Sequence, residues 1–125
     1  YIHNDRERFI MSVSINKQFD TIELGIANML SAANHDYNKF LDNEKMQKEF
    51  AGDWVIKYGQ KYIKIMTKKG GSVWGFVVNT DNDKKFKKGD LLKAAGYNAP
   101  TRNGARGNVL DGGFDIQWTG PLYLI

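Results

Sequence analysis

Seven basic side chains between residues 84 and 106 are the groups of this chain best suited to chemistry. They are Lys84, Lys85, Lys87, Lys88, Lys93, Arg102 and Arg106, and Asp90 is the single acid among them. Lysine ammonium groups attract phosphate, and guanidinium forks bind phosphate oxygens with two hydrogen bonds. Glycines nearby would let backbone N–H groups approach an anion. The segment therefore predicts contacts with phosphate backbones or with an acidic protein.

Two tyrosines complete the candidate nucleic-acid site. Tyr62 and Tyr97 are interleaved with lysines, and base stacking on tyrosine rings is typical of single-stranded nucleic-acid binding. Tyr62 and Lys64 would share one face of a regular strand. The other large aromatic residues of this half are expected in the core, namely Trp54, Trp74 and Phe76.

A purely structural interpretation of the same residues stays open. A run of lysines often solvates a surface or protects the edge of a sheet. Arg106 would then donate hydrogen bonds to backbone carbonyls, and Gly107 or Asn108 would take a positive φ. The glycine spacing matches neither a Walker A loop nor a dinucleotide-binding loop.

Other kinds of site are disfavoured by composition. The chain has no cysteine and two histidines, His3 and His35, so thiolate and histidine metal sites are not expected. Asp81-x-Asp83 lacks the glycine and the final glutamate of a calcium loop. We expect no metal, no cofactor and no catalytic residue. A small nucleotide-acting enzyme with Asp90, Lys93, Arg102 and Arg106 around a pocket stays as a second alternative.

The charge is divided between two halves of one domain. The 125 residues suffice for a single core. Residues 1–52 carry six Lys and Arg against eight Asp and Glu, a net −2, whereas residues 53–125 carry twelve against six, a net +6. We predict a single domain over 1–125, with a helical part at 1–52 and a basic, β-rich part at 53–125. Residues 1–10 are a flexible or non-native extension, a processed end or an extension of the first helix.

The first half has the apolar spacing of helices. Phe19, Ile22, Ile26, Met29, Leu30 and Ala33 form one stripe with a period near 3.6. Asn16 would cap the start of this helix, and Asn34 would end it. A second helix is predicted over about 37–51, with Asp36 as its cap and Gly52 after its end.

The second half has the alternating pattern of strands. We predict strands at 54–56, 61–67, 72–79, 84–87 and 121–125, a further apolar stretch at 91–95, and a loop over 96–113. The nearly continuous apolar sequence at 72–79 indicates a central strand, and Gly75 within it indicates a bulge or a close backbone contact. The expected fold class is α+β, with two N-terminal helices packed on one face of a C-terminal antiparallel β-meander.

The segment from Ser72 to Asn108 also resembles a known group of proteins. The positions that carry the resemblance are Ser72, Val73, Trp74, Phe76, Gly89, Asp90, Lys93, Ala94, Ala95, Tyr97, Ala99, Pro100, Ala105, Arg106, Gly107 and Asn108. They are similar to small, uncharacterised tailed-bacteriophage proteins over roughly residues 54–125. Gly96 before the aromatic residue, Tyr97 in place of tryptophan and the insert 101–104 depart from that pattern. The resemblance implies a phage origin and no particular activity.

Two classes of function follow from these features. The first is a small phage-derived protein that binds nucleic acid through the basic segment 84–106. The alternative is a phage protein–protein factor, either a virion component or an inhibitor of a host protein, that uses the helical half. Both imply a location in the host cytoplasm or the virion, and neither involves a membrane, since no apolar run approaches the roughly 20 residues that span a bilayer. The oligomeric state, and the choice between DNA and RNA, stay open.

Overall fold

The computed structural model describes residues 13–40, 54–117 and 120–122. These ranges contain one α-helix, α1 (Ile22–Phe40), and a short 3₁₀ turn at Lys68–Gly70. They also contain eight strands: β1 (Val13–Ile15), β2 (Val55–Tyr58), β3 (Tyr62–Thr67), β4 (Ser72–Val78), β5 (Asp90–Leu92), β6 (Gly107–Asn108), β7 (Phe114–Gln117) and β8 (Gly120–Pro121).

The strands form two antiparallel sheets. The larger sheet has the order β2-β3-β4-β5-β6, and the smaller one has the order β1-β7-β8. β4 lies at the centre of the larger sheet, with all residues from Trp74 to Val78 buried. The central position predicted from the apolar run at 72–79 is therefore confirmed. β2 lies at one edge of the same sheet, and all four of its residues are exposed.

Gly75 fulfils both expectations for a glycine inside a strand. The register between β3 and β4 shifts beside Ile65 and passes over Trp74, which marks a bulge. A Cβ atom on Gly75 would lie 3.1 Å from Cγ of Pro121 and 3.3 Å from the carbonyl oxygen of Leu92. The absence of a side chain thus allows β8 to pack directly on the larger sheet.

The main core lies between α1, the smaller sheet and one face of the larger sheet. α1 contributes a buried stripe that consists of Ile22, Ile26, Met29, Leu30 and Ala33. The larger sheet contributes Ile63, Ile65, Trp74, Val77 and Leu91. Full burial of an aliphatic side chain of this size contributes about 1.5–3 kcal/mol relative to exposure. The apolar stripe therefore determines which face of α1 packs against the two sheets.

A second cluster covers the opposite face of the larger sheet. Phe76, Val78, Phe86 and Leu92 are buried there. Phe86 comes from the connection between β4 and β5, and Ala94 and Ala105 pack at the margin of the cluster. Because this cluster anchors the connections to the sheet, it also positions the basic residues that they carry.

The predicted fold class is wrong. In the described ranges the chain is mostly β, with one helix and two antiparallel sheets rather than two helices on a single meander. The chain places β1 before the helix, and β1 pairs with β7 near the other end, from Val13 with Ile116 to Ile15 with Phe114. A pairing between strands about 100 residues apart leaves no local signal, so the periodicity of either segment did not predict it.

The boundaries of the helix also differ from the prediction. α1 begins at Ile22, where the Oγ1 of Thr21 accepts a hydrogen bond from the N–H of Leu24 over 3.3 Å. Asn34 lies within the helix rather than at its end, and its side chain accepts a hydrogen bond from the indole N–H of Trp54 at 3.0 Å. The helix continues through Asp36 as far as Phe40. The rest of the predicted second helix, 41–51, lies outside the described residues, as do residues 1–10.

Several strand predictions need correction as well. Residues 84–87 form no strand, because the side chain of Asp83 organises a turn there. The segment 96–113 contains β6, and β7 was not predicted. The last strand, β8, begins one residue early and is two residues long, while 123–125 lie outside the described residues. Among the described residues, no helix is both long and apolar enough to span a bilayer.

Candidate functional site

A cleft lies at one end of the larger sheet, between the β2–β3 turn and the connection that follows β4. Its volume is ≈ 500 Å³, and its lining residues are Gln60, Lys61, Thr80, Asn82, Asp83, Lys84 and Arg102. Asn79 joins the two walls, because its backbone N–H donates to the carbonyl of Lys61 at 2.8 Å and its side-chain amide donates to the carbonyl of Gly59 at 2.9 Å. The walls of the cleft are therefore fixed by hydrogen bonds to the backbone.

Asp83 shapes the floor of the cleft. Its Oδ1 accepts hydrogen bonds from the backbone N–H of Lys85 at 2.8 Å and of Phe86 at 3.0 Å. This is the local hydrogen bonding that lets aspartate form a turn. The turn sends the side chain of Phe86 into the second apolar cluster and leaves Lys84 and Lys85 exposed.

Arg102 reaches the same carboxylate from a distant loop. Its Nη2 donates to Oδ1 of Asp83 over 2.9 Å, and its Nη1 donates to the hydroxyl of Tyr62. The guanidinium carbon lies 4.9 Å from the centroid of the Phe86 ring, within the range of a cation–π contact. Lys85 donates to the backbone carbonyl of Arg102. Side chains that lie 19 and 40 residues from Arg102 along the chain therefore meet at one guanidinium.

The electrostatics of the cleft favour an anion. The hydrogen bond from Arg102, followed by the two backbone N–H donors, holds the pKa of Asp83 well below its usual range. The same contact with Asp83 raises the pKa of Arg102. Both groups are therefore ionised at neutral pH. Lys61, Lys84 and Arg102 line the cleft together with this one carboxylate, so the lining carries two net positive charges. Lys85 lies beside the cleft and donates to the carbonyl of Arg102.

The basic surface continues along the outer face of β2 and β3. Tyr62 and Lys64 are both half-buried on one face of β3 and alternate with the buried residues Ile63 and Ile65, as predicted. Lys57 of β2 pairs directly with Lys64 in the register of the sheet. Cross-strand partners project to the same side, so the two ammonium groups extend the positive surface away from the cleft.

Tyr97 joins this surface at its far end. The ammonium of Lys64 lies 3.6 Å from the centroid of the Tyr97 ring and 3.3 Å from Oδ1 of Asn98. The Tyr97 hydroxyl donates to the carbonyl of Gly70 at 2.7 Å, and half of the residue is exposed. We call Lys57, Lys61, Lys64, Lys84, Lys85 and Arg102 the basic face.

The two tyrosines of the predicted site already make contacts within the protein. The ring of Tyr62 packs edge-on against Phe76, with centroids 6.0 Å apart and an interplanar angle of 70°. Its hydroxyl accepts from Arg102, and one face of Tyr97 carries the ammonium of Lys64. A stacking role for either ring stays a prediction, and the surface offers cations more readily than open aromatic faces.

Arg106 lies apart from the basic face and fastens loops together. Its Nη1 donates to the carbonyl of Gly104 at 2.8 Å, to Oδ1 of Asn103 at 2.9 Å and to Oγ1 of Thr101 at 3.0 Å. Its Nε donates to the carbonyl of Leu122 at 3.1 Å. These contacts match the structural interpretation of Arg106 that the sequence left open, including the bonds to carbonyls. Gly107 has the positive φ expected there, 157°.

Lys93 is similarly engaged in the fold. Its ammonium donates to the carbonyl of Pro121 at 2.9 Å, and it is half-buried. Desolvation, followed by the positive charge of Arg106, lowers the pKa of Lys93. This contact ties β8 to the end of β5, and it does not bring Lys93 to the cleft lining.

Lys87 and Lys88 extend in a different direction from the cleft. The ammonium of Lys87 forms an ion pair with Oδ2 of Asp111 over 2.5 Å, and both side chains are mostly exposed. The hydrogen bond to Asp111 raises the pKa of Lys87. The carbonyl of Lys88 accepts from the side-chain amide of Asn108. The predicted site is therefore divided: Lys84, Lys85, Arg102 and Tyr62 come together, and Tyr97 adjoins them through Lys64.

Asp90 and Asp115 each accept hydrogen bonds within the protein. Asp90 is buried, and its two oxygens accept hydrogen bonds from Asn108 and from the backbone N–H of Lys87. Asp115 instead accepts from the hydroxyl of Ser14 at 2.7 Å. In the ranges 13–40, 54–117 and 120–122, no group of three His, Asp or Glu residues is placed to hold a metal ion. Asp90, Lys93 and Arg106 therefore each hold parts of the fold together.

Sequence reasoning missed one wall of the cleft. Asp83 was considered for a site only as part of a rejected calcium loop, and Lys61 was predicted as the start of a strand. Gln60, Thr80 and Asn82 were not assigned to a site. Asp83 carried a usable signal, because aspartate followed by two lysines and a phenylalanine fits a side-chain-capped turn that buries the aromatic residue. Its pairing with Arg102 had no such signal, since the two residues lie 19 positions apart and come together only in the folded chain.

Comparison with known proteins assigns the chain to one family. No curated protein and no solved structure matches the chain significantly. A family model described as a family of unknown function (DUF7717) matches residues 7–123. That match covers nearly the whole chain, and its description names no activity, origin or partner. The chain belongs to the DUF7717 family.

Proposed function

We propose that this protein binds nucleic acid through the phosphate backbone, with the basic face as the contact surface. The observation that carries the proposal is the convergence of Lys61, Lys84 and Arg102 on one cleft. These residues come from three separate segments of the chain. Solvation alone does not require charges from three segments to meet, and mutual repulsion disfavours it. A polyanion would neutralise them together and release its counterions.

The proposed contacts are with phosphate groups more than with bases. The exposed ammonium groups of Lys84 and Lys85 and the guanidinium of Arg102 are groups that bind phosphate oxygens. The rings of Tyr62 and Tyr97 have partners within the chain, so stacking would contribute less. This surface fits sequence-independent binding, in which duplex and single strands both bind.

The biological setting belongs to the proposal as well. The resemblance of residues 54–125 to small tailed-bacteriophage proteins supports a phage origin, with action in the host cytoplasm or the virion. DNA in such a setting is abundant and uniformly anionic, which suits a protein that contacts phosphates rather than base edges.

A protein partner is the alternative, and one observation favours it. Leu24 of α1 is 56% exposed, and Tyr58 of β2 is 53% exposed. Desolvation, followed by the negative charge of Glu23, raises the pKa of Tyr58. Exposed apolar side chains next to an open strand edge are typical of protein interfaces.

Fluorescence anisotropy with labelled duplex DNA, single-stranded DNA and RNA at several salt concentrations tests the proposal. We expect micromolar or tighter binding to each, with log affinity falling by about 0.7–0.9 per neutralised phosphate per tenfold rise in salt. Absence of binding at low salt would contradict it. A partner protein that the parent binds and the Leu24→Ser/Tyr58→Ser variant does not would then support the alternative.

A further inference from the structure

Arg102 keeps unused hydrogen-bonding capacity in the cleft. A guanidinium has five N–H donors, and the contacts among the described residues use two of them, to Tyr62 and to Asp83. The Arg102 side chain is 40% exposed. The other three N–H groups have no acceptor among the described residues, so they are available to a ligand while both internal hydrogen bonds stay in place.

The internal contacts fix the plane of that guanidinium. A hydroxyl holds one terminal nitrogen, a carboxylate holds the other, and the Phe86 ring lies against the group at 4.9 Å. Arginine side chains lose much rotamer freedom when they bind a ligand. An arginine that is already held pays less of that cost on binding, and a saving of this kind corresponds to a factor of about two to ten in affinity.

The negative charge of Asp83, rather than its hydrogen-bond acceptor, distinguishes its role at Arg102 from its role in the turn. Oδ1 accepts all three hydrogen bonds, from Lys85, Phe86 and Arg102. Oδ2 is buried and has no hydrogen-bond donor among the described residues. An asparagine in this place would still present one acceptor to the turn. What aspartate alone supplies is the negative charge that attracts Arg102.

We infer that Asp83, the one acid of the cleft, strengthens the binding of a phosphodiester backbone because it holds Arg102 in a fixed orientation. This inference rests on the proposed function and assigns Asp83 as a positioning residue that does not touch the ligand. Tyr62 assists from the other side of the guanidinium. Arg102 is then the pre-oriented phosphate contact, and the lysines of the basic face add charge around it.

Simple electrostatics predicts the opposite effect of Asp83. Removal of a negative charge from a basic cleft raises its attraction for a polyanion. If Asp83 served only the turn, Asp83→Asn would therefore bind nucleic acid more tightly than the parent. The inference predicts weaker binding despite the gain in positive charge.

The test compares duplex DNA binding by the parent, Asp83→Asn and Asp81→Asn. Asp81 is an exposed acid two residues earlier, so its replacement changes the charge equally without touching Arg102. We expect Asp81→Asn to bind as tightly as the parent or slightly more tightly, and Asp83→Asn to bind about two- to tenfold more weakly. Tyr62→Phe keeps the ring and loses the hydroxyl, and it should weaken binding in the same direction.

A double-mutant cycle separates positioning from a general effect on folding. In the Arg102→Gln background, Asp83→Asn should no longer weaken binding. A parent that binds, with Asp83→Asn binding as tightly or more tightly, would overturn the inference alone. Equal weakening with and without Arg102 would also overturn it, since the effect would then come from the turn. A parent that does not bind at low salt would overturn the proposed function and the inference together.

Discussion

Lys57 and Lys64 face each other directly across β2 and β3. Like charges at directly opposed positions of an antiparallel pair destabilise a sheet. Neither lysine takes part in the two ion pairs found among the described residues, which join Lys87 to Asp111 and Arg102 to Asp83. The pair therefore opposes folding locally, and the proposed contact with a polyanion would offset that repulsion.

Lys57→Glu should improve stability and reduce binding. The variant replaces a like-charge pair by an opposite-charge pair with Lys64, which contributes about 0.2–1 kcal/mol to the free energy of unfolding. It also removes positive charge from the basic face, so its affinity for duplex DNA should fall. Urea unfolding and anisotropy measure the two effects. Lys57→Glu that binds DNA as well as the parent does would exclude this strand from the interface.

Arg102→Lys should weaken nucleic-acid binding although the net charge is unchanged. Lysine lacks the planar fork that reaches Asp83 and Tyr62 while it also presents donors to a ligand. Loss of one charge-assisted hydrogen bond corresponds to about 1.5–3 kcal/mol, so we expect at least roughly tenfold weaker binding. Anisotropy titration at fixed salt measures it. Affinity equal to that of the parent would show that charge alone matters at this position.

Arg106→Lys should have the converse effect, since Arg106 belongs to the fold. The variant loses the donors that join Thr101, Asn103, Gly104 and Leu122. We expect the free energy of unfolding to fall by about 1–3 kcal/mol, with little change in binding by the folded fraction. Chemical denaturation together with a DNA titration checks both parts. Unchanged stability together with lost binding would move Arg106 into the interface.

The contribution of Asp83 to stability should depend on pH. Its pKa in the folded protein is lowered, chiefly by Arg102, from an unfolded value of about 3.9. A carboxylate with a lowered pKa stabilises the fold above its unfolded pKa and loses that contribution as the pH falls toward the folded pKa. Asp83→Asn should therefore melt below the parent at pH 7, by a margin that narrows below about pH 4. A margin that stays constant as the pH falls would contradict the ion pair.

Gly25→Ala should destabilise the protein because the added methyl group would clash with the backbone of Val109. A Cβ atom there would lie 2.3 Å from the carbonyl oxygen of Val109, so α1 would have to move off the loop. Overpacking of this kind costs about 1–3 kcal/mol. Gly96→Ala is the control, because its Cβ would meet no atom within 4 Å. Equal thermal stability of the two variants would show that the contact is not tight.

The sequence predicted those parts of the fold that depend on local periodicity. The apolar stripe agrees with the structure from Ile22 to Ala33, although Phe19, its predicted first member, lies before the helix. The central strand β4 and the irregularity at Gly75 also agree. Asn34 was predicted to end the helix but accepts a hydrogen bond from Trp54 instead, and local periodicity did not predict this contact. Cap preferences are weak local tendencies, and the tertiary context of the folded chain overrides them.

The candidate site was predictable as a set of charges but not as a geometry. Lys84, Lys85 and Arg102 were identified from their types, and the structure brings them together with Tyr62. The same reasoning included Arg106, whose guanidinium is used within the fold. Composition does not distinguish an arginine that meets solvent from one that meets carbonyls, because that difference arises from loop packing.

Binding of DNA at the cleft is tested most directly by two variants that each lose two positive charges. Their affinities for duplex DNA are measured over a range of salt concentrations. Lys84→Gln/Arg102→Gln removes two charges from the cleft, and Lys87→Gln/Lys88→Gln removes two from the part of the segment that contacts Asp111 and Asn108 instead of the cleft. We expect a large loss of affinity for the cleft variant alone. The slope of its log affinity against log salt concentration should also be smaller by up to about 2. Equal losses in both variants would contradict a defined interface and would reduce the binding to net charge.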